Sequence, residues 1–297
     1  MSSPTSTDYR PVIILGAGRS GTNMLRDVLC SLPSFGTWPC DEINYIWRHG
    51  NKRFPVDEMG ANLMRPKLQR YIQRAFQLCA KRESCTSVVE KTCANTLRVE
   101  FVAAALPENA VFLHLVRDGQ DVVASAGRRW KAKLDLPYLF KKARFVPLGD
   151  LPYYALRYLG TRVHRLFDGE GKVSFWGPRY LGMEKDLQSH GLDEVCAKQW
   201  RRCVTSSMKG LSTLPEDRVL HLRYEDFVAT PVRQLQRIGS FLQEDWTLAM
   251  MEQAVSHVSQ GSVGKGKREP GSKSADVVAR CIQPVMRELE EDARFSK

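Results

Sequence analysis

Apolar and polar positions along this chain alternate between two periods. Val12-Ile13-Ile14-Leu15 is an unbroken apolar run of strand length, and Met24, Leu25, Val28, Leu29 and Leu32 then recur at helical spacing. Residues 66–82 predict a strong helix, because Pro66 suits a first turn and Leu68, Ile72, Ala75, Phe76 and Cys79 share a face. A short strand over 86–90 and a helix from about 95 to 106 follow. The clearest buried strand is AVFLHLV at 110–116, which runs through Arg117-Asp118-Gly119 into a helix carrying Val122, Val123, Ser125 and Ala126. Residues 193–214 read as a long amphipathic helix and 218–222 as the last strand. Thr230 as N-cap with Pro231 behind it opens a helix to Leu242, and a final helix starts near Ala275. This alternation predicts an α/β fold: a P-loop-like, three-layer arrangement with a central parallel sheet flanked by helices. Its ligands should lie outside the carboxyl ends of the strands. With no internal repeat or linker, residues 1–297 read as a single domain. Residues 131–190, rich in basic and tyrosine positions such as Lys141, Lys142, Arg144, Tyr153, Tyr154 and Tyr158, read as a cap or lid insertion over the site.

Composition narrows the classes. With 43% hydrophobic and 26% charged residues, the 297-residue chain has an ordinary globular balance, and no apolar run approaches a membrane span. The N-terminal MSSPTSTDYRP has no signal-peptide core. Eight cysteines lie scattered without C-x-x-C pairs or histidines at zinc spacing, so the expectation is a reduced, cytoplasmic protein with no metal. The formal net charge of +11 favours anionic partners. No zinc finger, basic helix or RNA-binding motif is visible and the basic residues look dispersed, so an anionic small-molecule cofactor, not nucleic acid, is expected.

The chemistry starts between the first strand and first helix, where GAGRSGTNML holds Gly16, Gly18 and Gly21 with Arg19, Ser20 and Thr22. Strand, glycine-rich turn and helix aim several backbone N–H groups and a positive helix end at one spot, which suits a phosphate. A plain tight turn is the bland alternative, which an arginine among three glycines disfavours. Three loop types compete. The nucleoside-triphosphatase pattern G-x-x-x-x-G-K-[ST] fails where Thr22 stands for lysine, which counts against a P-loop kinase. The dinucleotide pattern G-x-G-x-x-G is met in full and is followed by Asp41 and Glu42, but Pro39 interrupts the strand that should precede the acid. The third type is that of sulfotransferases.

A second segment, HLVRDGQDVVAS, repeats the logic of strand, charged turn and helix, with Arg117 at the strand end and Ser125 on the helix. In this order, GAGRSGTNML and HLVRDGQDVVAS resemble the two phosphate-binding motifs of the sulfotransferase superfamily. LRYEDFVATP resembles its strand end bearing an adenine-contacting tyrosine, here Tyr224, and SVGKGKREPG its glycine-basic loop. The resemblance implies 3′-phosphoadenosine 5′-phosphosulfate (PAPS) as sulfuryl donor. Arg19, Ser20, Gly21, Thr22 and Asn23 would hold the 5′-phosphosulfate, and Arg117, Ser125, Lys265, Gly266 and Lys267 the 3′-phosphate. RSGT in place of a lysine-containing loop looks more like the bacterial and Golgi branches.

In-line sulfuryl transfer needs charge neutralisation and a base for the acceptor proton. Arg19 is placed for the first as a permanent cation and poor proton donor. Glu42 is the first choice for the base, with Asp41 its close rival and an exposed acidic loop the plain alternative. Lys91, in Lys91-Thr92-Cys93 where relatives carry a histidine, would assist the sulfuryl oxygens or simply pair with a neighbouring acid. His114 alternates within a strand and reads as a satisfied core residue. His49, beside Trp47, is a candidate acceptor contact. The implied acceptor is a hydroxyl on a saccharide or other small metabolite. A phosphotransferase and a non-catalytic nucleotide- or nucleic-acid-binding protein are the competing classes.

Overall fold

The computed structural model describes residues 9–130, 147–150, 152–153, 176–266 and 273–295. Five parallel strands form the sheet: β1 (Arg10–Leu15), β2 (Phe35–Gly36), β3 (Ser87–Glu90), β4 (Val111–Val116) and β5 (Val219–Arg223), in the order β2-β3-β1-β4-β5. β1 is central, with Val12 opposite both Val89 and Val111. Its Val12-Ile13-Ile14-Leu15 run is wholly buried because helices cover both faces, as in other all-parallel sheets. One face packs on Trp47, Ile72, Phe76 and Phe101; the other packs on Leu25, Leu29, Phe227, Leu235 and Ile238.

The helices that matter for the site are α1 (Thr22–Cys30), the single turn α2 (Asn44–Trp47), α3 (Pro66–Glu83), α4 (Val99–Ala105) and α5 (Gly119–Trp130). Later in the chain come α6 (Met183–Ser189), α7 (Leu192–Leu211), α8 (Tyr224–Ala229), α9 (Pro231–Leu242), α10 (Leu248–Val255) and α11 (Lys273–Glu291). α7, α5 and α11 enclose a third apolar cluster around Val123, Trp200, Cys203 and Ile282.

Two expectations are corrected, and one strand is added. The helix expected over 95–106 is two pieces, a 3-10 turn Cys93–Leu97 and α4. Arg98 breaks it at φ −147°, where its buried guanidinium donates to Asn95 Oδ1 at 2.9 Å and to Asn44 Oδ1 at 2.5 Å. Thr230 does not cap α9 with its side chain; its hydroxyl donates to the Asp226 carbonyl at 3.2 Å, because α8 ends immediately before it. Pro231 does take the first helical position. The two-residue strand Phe35–Gly36 is too short to leave a periodic signal and was not anticipated. Of the expected insertion, 131–146, 151 and 154–175 lie outside the described residues, and with them Lys141, Lys142, Arg144, Tyr154 and Tyr158.

His114 is a core residue, as expected. It is 1% exposed, its Nε2 lies 2.8 Å from Ser207 Oγ, and its Nδ1 lies 3.0 Å from Nδ1 of His221 on the adjacent strand. The Ser207 hydroxyl spends its proton on a helix carbonyl of α7, Cys203 or Val204. It therefore accepts from His114 Nε2–H, which leaves His114 Nδ1 to accept from His221 Nδ1–H. Burial holds His114 well below the ordinary histidine value and lowers His221 to about 4. None of the eight cysteines is in a disulfide.

Candidate active site

Two charged turns meet at the carboxyl end of β1 and β4. The first turns back at Gly16, where an added β-carbon would sit 2.6 Å from Thr22 Cγ2 and 2.7 Å from the Leu115 carbonyl. Gly21 adopts φ +89° at the start of α1, and its added β-carbon would collide with the ring of Tyr224. Arg19 takes the left-handed conformation at φ 76°, a strained choice for a side-chain-bearing residue. The sequence offers no sign of that strain, since three glycines flank it. Gly18 lies under Trp176, whose Cη2 would be 3.0 Å from an added β-carbon.

The second turn interlocks with the first. Arg117 Nη1 donates to the Arg19 carbonyl at 3.2 Å, and Arg19 Nε donates to Ser125 Oγ at 3.0 Å. The Arg117 guanidinium stacks over the Tyr224 ring at 4.5 Å. It also donates to the Ser262 carbonyl at 2.6 Å and, more weakly, to Asp121 at 3.4 Å. Tyr224 and Ser262 share a hydroxyl–hydroxyl bond of 2.6 Å. Asp121, buried one turn beyond Arg117, accepts from the backbone N–H groups of Gly264 at 2.8 Å and Gly266 at 2.5 Å. Gly266 lies so close to the backbone of Gln120 and Asp121 that a β-carbon has no room. Lys265 is exposed beside it, Asn23 is exposed on the first turn of α1, and Lys267 lies outside the described residues.

Positive charge is concentrated here. Arg19 is exposed as a residue, but partial desolvation lowers its guanidinium below the ordinary arginine value, and nearby Arg129, Arg117 and Arg128 lower it further by repulsion. Two buried polar atoms at this junction, Ser20 Oγ and Arg117 Nε, have no hydrogen-bond partner. Orphans of this kind, inside a ring of guanidinium groups and backbone N–H donors, fit the phosphates of a nucleotide. Among the described residues, no group of three histidine, cysteine, aspartate or glutamate side chains is arranged to hold a metal ion.

The candidate acid–base residues form an adjoining cluster at the end of β3. Glu42 Oε1 accepts from Lys91 Nζ and from the Cys93 backbone N–H, each at 3.3 Å. Cys93 Sγ in turn lies 3.9 Å from Thr22 Oγ1, which joins this cluster to the first loop. Burial pulls the Lys91 ammonium down, but Cys93, Glu42 and Asp41 pull it up and prevail. Burial pushes the Cys93 thiol to about 12, so at neutral pH the two carboxylates supply that effect. Asp41 Oδ1 lies 3.3 Å from Arg26 Nη1.

A buried polar platform lies beneath. Glu90 accepts from Thr92 at 2.5 Å and Asn95 at 2.9 Å, and burial raises its carboxyl to about 7. Thr92 Oγ1 also accepts from the backbone N–H of Ile43, next to Glu42. Arg48 and Arg98 flank the buried Asp57, at 2.8 and 3.7 Å.

The structure therefore brings Arg19, Ser20, Gly21, Thr22, Arg117, Ser125, Tyr224 and Gly266 to one junction, with Glu42 and Lys91 beside it. Sequence reasoning missed Asp121, Trp176, Ser262, Arg128 and Arg129. Asp121 carried a readable signal, one helical turn from Arg117 and one from Ser125. Trp176 and Ser262 carried none, since their partners are remote in sequence.

A sequence profile described as the sulfotransferase family matches residues 11–159 and 170–247. No curated protein matches the chain significantly. Among solved structures, the chain is similar to the sulfotransferase domain from the curacin biosynthetic pathway, at TM-score 0.55 and 14% identity, covering 93% of this chain and 96% of that one. It is also similar to the sulfotransferase domain from the Synechococcus PCC 7002 olefin synthase, at TM-score 0.53 and 14% identity, with 96% and 98% covered. A third similar structure is sulfotransferase STF9 from Mycobacterium avium, at TM-score 0.53 and 12% identity, with 98% and 79% covered. At these identities the structural likeness speaks to the fold.

Proposed function

The chain belongs to the sulfotransferase family, and from that premise we propose that it moves a sulfuryl group from PAPS to a hydroxyl of a saccharide or other small metabolite. The observation that supports this reading is the interlock of Arg117 with Arg19 and of Arg19 with Ser125, which joins two cationic turns side by side. A nucleoside triphosphate would use only the first.

When bound, PAPS supplies the transferable sulfuryl group on a 3′,5′-bisphosphate leaving group. Arg117, Ser125 and the Gly264–Gly266 backbone would hold the 3′-phosphate, with Tyr224 against the nucleoside. Ser20, Gly21, Thr22 and the start of α1 would hold the 5′ end, and Arg19 would neutralise charge on the leaving oxygen without giving up its proton. Glu42 takes the acceptor hydroxyl's proton, and Lys91 holds its carboxylate in place and offers a cation to the sulfuryl oxygens. Cys93 is too high in pKa to serve as a base at neutral pH.

The test is calorimetric titration of 3′-phosphoadenosine 5′-phosphate (PAP), ATP and NAD into wild type and Arg117→Ala. Selective binding of PAP that disappears in the variant is expected. Equal or better binding of ATP or NAD, indifferent to Arg117, would sink the reading.

A further inference from the structure

Helix α3 carries an electrostatic feature that the active site does not use. At 3.6 residues per turn, Lys67, Arg70, Arg74 and Lys81 fall within about 60° of one another around the helix. All four are exposed, while Leu68, Ile72, Phe76 and Cys79 bury the opposite face. The stripe is about 21 Å long at 1.5 Å per residue. The helix's one carboxylate, Glu83, pairs with Arg82 at 2.8 Å. Among the described residues, none of the four cations has an ion-pair partner. Like charges three and four residues apart destabilise a helix, so this arrangement calls for an anionic partner.

The stripe begins at a cavity. Lys67 lines a space of about 270 Å³ together with His49, Asn51, Arg65, Leu68 and Tyr71. The His49 and Tyr71 rings lie 4.3 Å apart, and His49 Nδ1 is held 2.7 Å from the buried Asp150. Because α3 leads into β3 of a parallel sheet, its N-terminal end lies at the carboxyl edge, where Glu42 and Lys91 stand. His49 follows Glu42 by seven residues, across the single turn α2.

We propose that the outer face of α3 is a docking track for an acidic polysaccharide, a linear polyanion that leads into the cavity at His49 and Tyr71. Paired rings in a largely apolar cavity edged by Arg65 and Lys67 suit the apolar face of a sugar ring, with cations at hand for its acidic group. The stripe's single exposed apolar side chain, Leu78, gives an anionic bilayer charge but no anchor. That the docked chain is also the sulfuryl acceptor rests on the function proposed above; the docking does not.

The experiment titrates alginate oligomers of graded length into the full chain, with neutral dextran oligomers, a single-stranded oligonucleotide and phosphatidylserine vesicles in parallel. The variants are Lys67→Glu/Arg70→Glu/Arg74→Glu and, as a charge-matched control, Lys185→Glu/Lys209→Glu/Arg280→Glu. Alginate affinity should strengthen with length until the oligomer spans about 21 Å and weaken with salt. It should fall about tenfold or more in the stripe variant alone. Absence of alginate binding, equal loss in both variants, or tighter stripe-dependent binding of the oligonucleotide or vesicles would overturn the proposal. PAP titration of the same proteins separates the two readings: the stripe variant should keep wild-type PAP affinity, and a wild type that ignores PAP would fail the donor assignment alone.

Discussion

Gly266 donates its backbone N–H to Oδ1 of Asp121 at 2.5 Å, across 145 residues of chain. Gly264 donates to the other oxygen, so one carboxylate holds the glycine-basic loop against the turn that carries Arg117. Asp121→Asn keeps one acceptor and turns a donor toward a donor. Amide exchange over residues 260–266 should accelerate, and PAP affinity should fall about tenfold, with the overall fold intact by circular dichroism. Wild-type exchange in that loop would disprove the latch.

Gly21→Ala forces a β-carbon into the Tyr224 ring at a φ of +89°. The variant should lose about 1–3 kcal/mol in urea unfolding and bind PAP weakly. Pairing it with Tyr224→Ala should restore part of the stability by removing the ring, although not the binding.

Glu42→Gln keeps the size of the side chain and removes the proposed base. Transfer should drop about 10²- to 10⁴-fold with PAP affinity unchanged, whereas Asp41→Asn should be mild because Asp41 faces Arg26. A fully active Glu42→Gln enzyme would move the base elsewhere.

The His114–His221 pair predicts a pH effect. Both histidines titrate lower in the folded chain than in the unfolded one, and His221 falls to about 4. The unfolded chain therefore binds protons first as pH falls. Stability is fully present above about 6.5 and is lost progressively toward 4. Glu90, raised to about 7, works in the opposite sense, losing stability as pH rises through about 4.5 to 7. The difference between wild type and His221→Asn isolates the histidine. Relative to that variant, wild type should lose on the order of 3 kcal/mol between pH 6.5 and 4. Parallel curves would show that the pair does not titrate in this way.

Much of this molecule was legible in its letters, for a local reason. The run Val12–Leu15 and the three glycines sit within eleven residues, as do Leu115, Arg117 and Ser125, so strand, turn and helix can be read without knowing their neighbours. Where partners are remote, reading failed: Trp176 over Gly18, Ser262 on Arg117, and Arg98 dividing a helix to satisfy Asn44. The charge on α3 is a different case. Lys67, Arg70, Arg74 and Lys81 look dispersed in a line of text and align only when wound at 3.6 residues per turn.

The contact between Gly21 and Tyr224 also bears on how the protein is made. The loop that opens the chain's chemistry is closed by an aromatic ring synthesised some two hundred residues later. Ser262 and Gly266 come later still. Contacts so distant in sequence form slowly, because loop entropy is lost before they reward it. A nascent chain therefore exposes an unfinished, glycine-rich loop until residues 224–266 have emerged. The proposed donor pocket is consequently among the last parts of this fold to exist.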